Sequence, residues 1–464
     1  MSLSSPLHRP EAVSDAQVAA LAAELAAHHP GLVQLSAPAD LARLSHDFHD
    51  YSPVLRQQLQ GCRAQLALRA TSVEDVMAVA AACARHRVPL TPRGAGTGNY
   101  GQCVPLAGGV VLDLSGLNRI RGLDPATGVL EAEAGALLHH LEQHLRPAGR
   151  ALRLMPSTWR TASIGGYIAG GSSGIGSLRW GFLRDPGNLL GLEVVTLEPE
   201  PRRLQLDAVA SVPLNHAYGT NGILTAVRLA TCEAVAWQQL VVDFGDAEAA
   251  LAVAAALPAT ALLLQSITLL EGPIAACLPA PHGCPPADPG STRLLLLAAP
   301  DSLAVLPAWL EARGGHIRWQ VPEGEEPSAR PLRELGWNHT TLHWRADHPD
   351  WTYLQMLLPE PAEPLIASVR RSWGSDVLWH LEAVRHAGAA RLAGLPLLRW
   401  RDAAALAALM DQCRQLGAVL FNPHVLTVED GGLGVVDADQ VAVKAANDPA
   451  GLLNPGKLRG WDAR

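Results

Sequence analysis

The sequence predicts an α+β fold with more than one domain. Segments with helical periodicity and segments of strand-like alternation follow each other along the whole chain. At 464 residues, with 48% hydrophobic and 17% charged residues, the chain is long enough for two or three well-buried domains of about 100 to 200 residues each. The amino-acid composition changes after Cys232, since most tryptophans lie beyond residue 236.

The first elements form a helical segment followed by a β-α-β unit. A helix is predicted over residues 15–28 after the cap residue Ser14, and a short one over residues 40–44. Strands are predicted over residues 65–70 and 88–90, with an amphipathic helix between them that begins after Ser72 and carries Asp75 in its first turn. Such a unit presents the loop at its end to a ligand.

That loop, residues 90–104 (LTPRGAGTGNYGQCV), is dense in glycine. Glycine lets a ligand approach backbone N–H groups closely, so the loop predicts a cradle for a phosphate or pyrophosphate. A flexible surface loop is the alternative. The spacing of Gly96, Gly98 and Gly101 also matches a dinucleotide fingerprint, but a predicted strand follows where that motif needs a helix, which argues against a Rossmann fold.

Later elements continue the α+β pattern. A second glycine-rich stretch, residues 155–181, offers backbone and hydroxyl groups to a large ligand. Around it lie predicted strands over residues 109–114, 128–134, 191–197 and 223–230 and a helix over residues 137–145. Beyond Cys232 we predict helices over residues 247–257 and 302–313, strands over residues 262–270, 293–298 and 315–320, and a polar loop over residues 321–330.

Composition excludes several classes of function. The net charge of −8 and the pI near 6.1 give no electrostatic reason to bind nucleic acid. The seven cysteines have no CxxC spacing, so neither a disulfide framework nor a zinc ribbon is indicated. No signal peptide and no transmembrane segment is apparent, and we expect a cytoplasmic protein, with peripheral membrane association left open. Lys444 and Lys457 are the only lysines, and both lie near the end of the chain.

Several motifs together resemble the FAD-binding domain of the vanillyl-alcohol oxidase and p-cresol methylhydroxylase (PCMH) superfamily. They occur in the family's order, as RGAGTG (93–98), GGVVLDL (108–114), ASIGG (162–166), LLGLEVV (189–195), GTNGILT (219–225) and DPAGLLNPGK (448–457). The resemblance implies a PCMH-type FAD-binding domain of two α+β subdomains over residues 61–232. A helical segment (1–60) would precede it, an α+β substrate or cap domain (233–420) would follow, and residues 421–464 would return to the flavin domain.

The resemblance also implies which residues bind FAD. The first loop would cradle the pyrophosphate, the second stretch would line the other side of the flavin, and the backbone of Ile223 and the C-terminal tail would complete the site. The expected cofactor-binding residues are Arg93, Gly94, Ala95, Gly96, Thr97, Gly98, Asn99, Pro156, Ser157, Thr161, Ser163, Gly165, Gly166, Ala169, Ile223, Asn454 and Lys457. Thr97 aligns with the histidine that links flavin covalently in some members, so the FAD should be non-covalent.

The resemblance weakens after residue 232. The histidine-rich metal motif of 2-hydroxy-acid dehydrogenases similar to D-lactate and glycolate dehydrogenases is missing, and no metal site is predicted. A zinc site on His339 and His343 is a less favoured alternative. We predict instead that residues 338–345 (NHTTLHWR) form a strand with His339, His343 and Arg345 on one face, and that His380 and Glu382 share a face of another.

The predicted catalytic residues are His343, His424 and Arg345. Histidine can act as the base for a substrate hydroxyl, and arginine can hold a carboxylate bidentately. Ordinary structural histidines are the competing interpretation. The predicted function is FAD-dependent oxidation of a CH–OH group of a small 2-hydroxy acid, with electrons passed to an acceptor other than NAD, such as a quinone, a cytochrome or an iron–sulfur partner. A sugar or aldonolactone oxidoreductase and a flavin-binding subunit of a larger complex are the alternatives.

Overall fold

A computed structural model describes residues 9–171, 173–325 and 331–462. Residues 326–330 of the expected polar loop, Ser172 of the second glycine-rich stretch and residues 1–8 and 463–464 of the expected terminal segments lie outside the described residues. Within the described ranges, no helix is long and apolar enough to cross a membrane.

The α-helices are, in chain order, α1 (Asp15–His28), α2 (Pro38–Leu44), α3 (Pro53–Gln58), α4 (Val73–His86), α5 (Leu138–Leu145), α6 (Ile164–Gly170), α7 (Ser177–Trp180), α8 (Ala208–Ser211), α9 (Ala247–Ala256), α10 (Gly272–Cys277), α11 (Leu306–Glu311), α12 (Asn338–Asp347), α13 (Glu363–Trp373), α14 (Ala403–Gln415), α15 (Val428–Gly431), α16 (Ala438–Asn447) and α17 (Arg459–Asp462). Short 3-10 helices include Phe48–Tyr51, between α2 and α3.

The strands are β1 (Val33–Leu35), β2 (Leu66–Arg69), β3 (Leu90–Arg93), β4 (Val110–Asp113), β5 (Ile120–Leu123), β6 (Val129–Glu133), β7 (Arg150–Leu152), β8 (Leu189–Val195), β9 (Arg203–Asp207), β10 (Ile223–Glu233), β11 (Gln238–Phe244), β12 (Leu264–Glu271), β13 (Thr292–Ala298), β14 (Gly315–Pro322), β15 (Trp351–Tyr353), β16 (Gln355–Leu357), β17 (Val377–Leu378), β18 (His380–His386), β19 (Ala389–Gly394), β20 (Leu397–Arg399) and β21 (Val419–Phe421).

The first sheet has the order β1-β2-β4-β3 and presents the glycine-rich loop. Its strands β2, β4 and β3 are parallel, so the loop that leaves β3 lies at their common carboxyl edge. Helix α4 packs on this sheet through buried residues such as Val76 and Val79. Its start is fixed by the expected capping box, in which Ser72 accepts from the backbone N–H of Asp75 and Asp75 accepts from that of Ser72.

A second, antiparallel sheet has the order β5-β6-β10-β8-β9, with β7 also paired to β10. Buried residues of β8 and β10, including Val195 and Ile223, belong to the same hydrophobic core as the first sheet. The two sheets therefore pack against each other through a shared core. The α+β class predicted from the sequence is confirmed.

A third, larger antiparallel sheet has the order β14-β11-β13-β12-β18-β19-β16-β21, and strands β15, β20 and β17 form a small separate sheet. Leucine-rich faces of β12 and β13 form its core with helices α9, α13 and α14. Helix α12 packs against β15 and leads into it, which brings α12 and the ends of β15 and β16 towards the glycine loop. The division into domains at residues 60, 232 and 420 stays a prediction.

Candidate functional site

The glycine-rich loop leaves backbone donors free at the carboxyl end of β3. Within the described part of the chain, no group accepts a hydrogen bond from the N–H of Gly96, Thr97 or Gly98. Gly96 has a φ of +69°, and a Cβ there would meet the guanidinium of Arg93. Successive free N–H groups on such a backbone form an anion-binding concavity.

The second glycine-rich stretch closes over the first. The sequence did not predict a helix there, yet residues Ile164–Gly170 form α6. The hydroxyl of Ser163, just before α6, accepts from the N–H of Ala95 at 3.3 Å. A Cβ on Gly94 would lie 2.1 Å from that hydroxyl, and one on Gly165 would collide with the backbone of Ala134. Glycine at these two positions is what allows the loops to touch.

A cavity lies between these loops and the segment that enters β10. The expected cofactor residues that line it are Arg93, Gly94, Ala95, Gly96, Thr97, Gly98, Ser163, Gly165, Gly166 and Ala169. The expected residues Asn99, Pro156, Ser157, Thr161, Ile223, Asn454 and Lys457 are not among its lining. The lining residues that the sequence analysis missed are Pro92, Gln102, Cys103, Leu114, Ala134, Gly170, Tyr218, Gly219, Gly222 and Leu224.

Tyr218 is the missed residue with the clearest chemical features. It is buried, and its hydroxyl has no hydrogen-bond partner among the described residues. Its φ of +51° is strained for a tyrosine, and His216 nearby shares this with a φ of +57°. The free backbone donors and the close glycine packing around this cavity fit a large polar cofactor such as FAD.

The C-terminal tail supports the loop from behind. Asn454 donates to the carbonyls of Gln102 and Tyr218, at 2.9 and 2.6 Å, and so joins two walls of the cavity. The ammonium of Lys457 donates to the carbonyls of Gln102 and Val104, at 2.8 and 2.6 Å. Both residues hold the loop in shape. Burial lowers the pKa of Lys457 to about 8.

The other lysine is equally buried. Lys444 pairs with Asp448 and donates to the carbonyl of Leu453 at 2.7 Å, which fixes the turn that leads into the tail. Both lone lysines therefore occupy sites where a compact ammonium meets backbone carbonyls, a geometry that the larger planar guanidinium does not match.

The thiol of Cys103, also in the cavity lining, is protected. Burial raises its pKa to about 11. Arg93 directs its guanidinium at this sulfur, at 3.0 Å, and at the carbonyls of Leu44 and His46. Because a thiol is a poor nucleophile, this burial favours the prediction that FAD is bound non-covalently.

The expected strand over residues 338–345 is wrong, because the segment is helix α12. Successive residues of an α-helix are about 100° apart, so Arg345 points roughly 200° away from His343 and the two do not share a face. Asn338, Thr341 and Arg345 share a face instead. The N-terminus of the helix is held by buried Glu382, whose carboxylate accepts from the N–H of Trp337 at 2.7 Å.

The shared face of α12 meets the end of the glycine loop. Asn338 accepts from the amide of Gln355 at 3.0 Å, and Gln355 in turn accepts from the hydroxyl of Tyr100 at 2.7 Å. Asn99 donates to the hydroxyl of Tyr353 at 2.6 Å. We call these residues, with Tyr51, Thr341 and Arg345, the α12 polar cluster.

Arg345 is the unpaired charge of the α12 polar cluster. Its guanidinium lies 5.3 Å above the ring of Tyr51, and no described residue accepts a hydrogen bond from it. Its Nε and the hydroxyl of Thr341 are both buried without a partner. Burial lowers the pKa of Arg345, which nevertheless stays a cation. A half-buried arginine without a counter-ion is suited to an anionic ligand.

The remaining histidines are engaged within the protein. His380 and Glu382 share one face of β18, as expected, and their side chains are 2.8 Å apart. His424 contacts the hydroxyl of Ser52 through Nδ1 and donates from Nε2 to the carbonyl of Tyr353, both at 2.8 Å. Burial lowers the pKa of His424 to about 4. The ring is therefore neutral and lies directly behind the α12 polar cluster.

Comparison with known proteins agrees with this geometry. A family model described as an FAD binding domain matches residues 64–204. D-lactate dehydrogenase of Anaerostipes hadrus is 34% identical over 123 residues, which is 26% of either chain, so the match spans about a quarter of that relative. Glycolate oxidase subunit GlcD of Escherichia coli (strain K12) is 27% identical over 415 residues, 83% of this chain and 81% of that protein.

Among solved structures, 4-ethylphenol oxidase of Gulosibacter chungangensis superimposes with a TM-score of 0.70. The superposition covers 98% of this chain and all of that one, at 16% sequence identity. At that identity the likeness concerns the fold, and it extends over both the glycine-loop sheets and the larger sheet. The expected PCMH-type fold is thereby confirmed.

Proposed function

Because this chain is an FAD-dependent oxidoreductase with a PCMH-type FAD-binding domain, we propose that it oxidises the CH–OH group of a small 2-hydroxy acid. The observation that carries the proposal is Arg345, an unpaired and half-buried cation over Tyr51, in a 3-10 segment that is hydrogen-bonded to the glycine loop at Gly98. A 2-hydroxy acid brings the carboxylate that such a cation lacks. The reacting carbon would then lie towards Asn99 and Tyr100 of the loop.

When bound, FAD supplies the acceptor for the hydride from the substrate carbon. The chain's own part is to bind and to orient. The free N–H groups of Gly96, Thr97 and Gly98 would hold the pyrophosphate, and Tyr218 would form part of the wall against the cofactor. Pro156, Ser157, Thr161 and Ile223 are proposed as further contacts, implied by the resemblance.

The proton of the substrate hydroxyl needs a base, and His343 and His424 remain the proposed candidates. Since α12 directs His343 away from Arg345, the two can act together only if the substrate spans more than one side of the helix. His424 lies behind Tyr353 with both nitrogens engaged, which suits a positioning role better than proton abstraction. The choice between them is left to mutation.

The names of the relatives support the substrate class. The matched proteins are named for glycolate, D-lactate and, over 131 residues of a rice protein, D-2-hydroxyglutarate, which are all 2-hydroxy acids. We propose that the electrons pass on to a quinone, a cytochrome or an iron–sulfur partner. A cytoplasmic location is part of the same proposal, and peripheral association with a membrane is left open.

A sugar substrate would be favoured by tryptophans that stack on sugar faces. Trp237, Trp319, Trp344, Trp351 and Trp379 are all buried in the core. These five offer no open face to a sugar, whereas Trp309, Trp337, Trp373 and Trp400 are only partly buried. The hydroxy acid is favoured over an aldonolactone because Arg345 offers a cation to its carboxylate.

The test is anaerobic mixing of the purified yellow protein with a panel of glycolate, D-lactate, L-lactate, D-2-hydroxyglutarate and neutral sugars, while the flavin absorbance is followed. We expect bleaching by at least one hydroxy acid and by no sugar. Bleaching by sugars alone would replace the proposed substrate. Stable flavin colour with every compound would instead favour a flavin-binding subunit that acts only within a larger complex.

A further inference from the structure

Two histidines and an aspartate converge on the outer side of the glycine loop, in a segment that the predicted function does not use. His46, His49 and Asp50 lie in and just before the 3-10 helix Phe48–Tyr51, and one ligand atom of each lies within 4.8 Å of the others. Nε2 of His46 is 3.1 Å from one carboxylate oxygen of Asp50, and Nε2 of His49 is 3.9 Å from the other.

The ring of His49 is held in the orientation that a metal ligand needs. Nδ1 of His49 donates to the carboxylate of Asp47 at 2.8 Å, and the side chain of Asp47 is fully buried. Because Nδ1 is taken by this hydrogen bond, Nε2 is the nitrogen that faces Asp50 and can coordinate a cation. A carboxylate behind a histidine in this manner is the usual outer support of a metal-bound imidazole.

The segment is also fixed to the protein rather than free to move. The N–H of Phe48 donates to the carbonyl of Gly98 at 2.8 Å, and Arg93 donates to the carbonyl of His46 at 2.7 Å. His46 and Asp50 each keep about half of their side-chain surface exposed, so a cation could enter from solvent. An ordinary surface ion pair between His46 and Asp50 would require neither the buried Asp47 nor these tethers.

From this arrangement we propose that His46, His49 and Asp50 form a binding site for a divalent transition-metal cation of the zinc class. Two imidazoles and one carboxylate suit Zn²⁺ or Co²⁺ rather than Mg²⁺ or Ca²⁺, which prefer oxygen ligands only. Three protein ligands leave a fourth position open. The site does not depend on the proposed substrate.

The place of the site gives it a structural consequence. Tyr51 ends the same 3-10 helix and carries Arg345 above its ring, while Gly98 at the other side belongs to the flavin loop. A cation bound here ties together the segment that lies between the cofactor loop and Arg345. It also adds positive charge beside a site that we propose to be anion-binding.

The experiment is a titration of the chelator-treated, FAD-bound full chain with Zn²⁺ by calorimetry and with Co²⁺ by visible absorption. We expect one ion per chain and a cobalt spectrum that reports nitrogen and oxygen ligands. His46→Gln and Asp50→Asn should each weaken binding at least tenfold, and Asp47→Asn should weaken it by about 10- to 100-fold. The control is His28→Gln, which removes an exposed histidine on α1 and should bind like wild type.

His46→Gln and Asp50→Asn change half-exposed side chains, so both proteins should fold even if the buried Asp47→Asn variant does not. The proposal is overturned if neither ion binds at micromolar concentration, or if the ions bind His46→Gln and Asp50→Asn as tightly as wild type, since the ions would then sit elsewhere. Because no substrate enters this titration, its failure would leave the proposed oxidation untouched, and the reverse also holds.

Discussion

At the scale of single residues, Arg345 is the side chain most directly tied to the proposed substrate. Methionine has a similar length and no charge, so Arg345→Met should weaken binding of the hydroxy acid by about 2 to 3 kcal/mol, or roughly 30- to 150-fold. The higher dissociation constant should appear in the dependence of flavin reduction on substrate concentration. The FAD content should stay unchanged, because Arg345 does not line the cofactor cavity.

A matched control for that change is Arg313→Met. Arg313 also lies over an aromatic ring, that of Trp309, at 4.0 Å, but on the exposed end of α11. The Arg313→Met substitution should leave flavin reduction unchanged. Equal effects of the two substitutions would mean that Arg345 acts only through charge or packing, and the carboxylate contact would be abandoned.

The two candidate bases, His343 and His424, are expected to differ in how much their replacement by alanine lowers the stability of the protein. His424→Ala removes the imidazole partner of the Ser52 hydroxyl and of the Tyr353 carbonyl and leaves a buried cavity, so we expect a loss of about 2 to 4 kcal/mol and a lower Tm. His343→Ala should change the Tm little, since His343 is partly exposed. If His343 is the base, its removal should slow flavin reduction by about 10² to 10⁴. Reduction at the wild-type rate would leave His343 a structural residue.

At the scale of elements, the C-terminal tail requires a side chain of a particular shape at position 457. Lys457→Arg keeps the charge, but the guanidinium should not fit between the carbonyls of Gln102 and Val104, and the loop that they belong to should loosen. We expect the FAD retained after gel filtration to fall for Lys457→Arg. For Lys444→Arg it should fall less, because Lys444 fixes the turn that leads into the tail without touching the loop itself. Equal retention in both would contradict this.

The same lysine predicts a pH effect. The pKa of Lys457 is about 8 in the folded protein, against about 10.4 for a free lysine, so between these values the unfolded chain binds more protons. The free energy of unfolding should therefore rise by about 3 kcal/mol as the pH increases from the folded to the unfolded pKa. This gain should be lost as the pH falls back to 8. The Tm of wild type relative to Lys457→Met, measured from pH 7.5 to 9.5, should increase. A constant difference would show that the folded pKa is ordinary.

Elements with strong local signals were predicted well. Helix α4 follows from its capping box and apolar spacing, and β2 and β4 follow from short apolar runs. Helix α6 was missed because its glycines disfavour a helix locally, while its packing against β10 and the first loop decides otherwise. Helix α12 was read as a strand because threonine and tryptophan favour strands, whereas Glu382, distant in sequence, holds its first turn.

The same distinction between local signals and contacts distant in sequence applies to the residues of the candidate site. Residues 93–98 are contiguous and carry a local motif, so their place in the cavity was predictable. Tyr218 and Gln102 are held at the cavity by contacts with Asn454, which lies far along the chain. The sequence next to these two residues contains no pattern that predicts those contacts. The role of Arg345 stays a prediction, and the strand on which it was placed is helix α12. The positive φ at Tyr218 is visible only in the folded backbone.

At the scale of the whole molecule, the protein should purify yellow with one FAD per chain, and acid precipitation should release all of the flavin to the supernatant. Thr97 cannot form a histidyl bond, and the buried thiol of Cys103 is protonated. The measurement is the absorbance of supernatant and washed pellet. Flavin that stays in the pellet would disprove non-covalent binding, and a colourless protein that FAD cannot reconstitute would disprove the cofactor.

The tail that braces the flavin loop also sets an order of events during synthesis. Contacts from Asn454 and Lys457 to Gln102 span 352 and 355 positions, and Leu90 pairs with Leu452 and Asn454 through its backbone. Contacts of such high order form late. While a ribosome is still translating the larger sheet, the flavin loop is already made but has no tail to hold it. We therefore expect cofactor loading to wait until residue 457 has emerged, so a stalled nascent chain should not bind FAD.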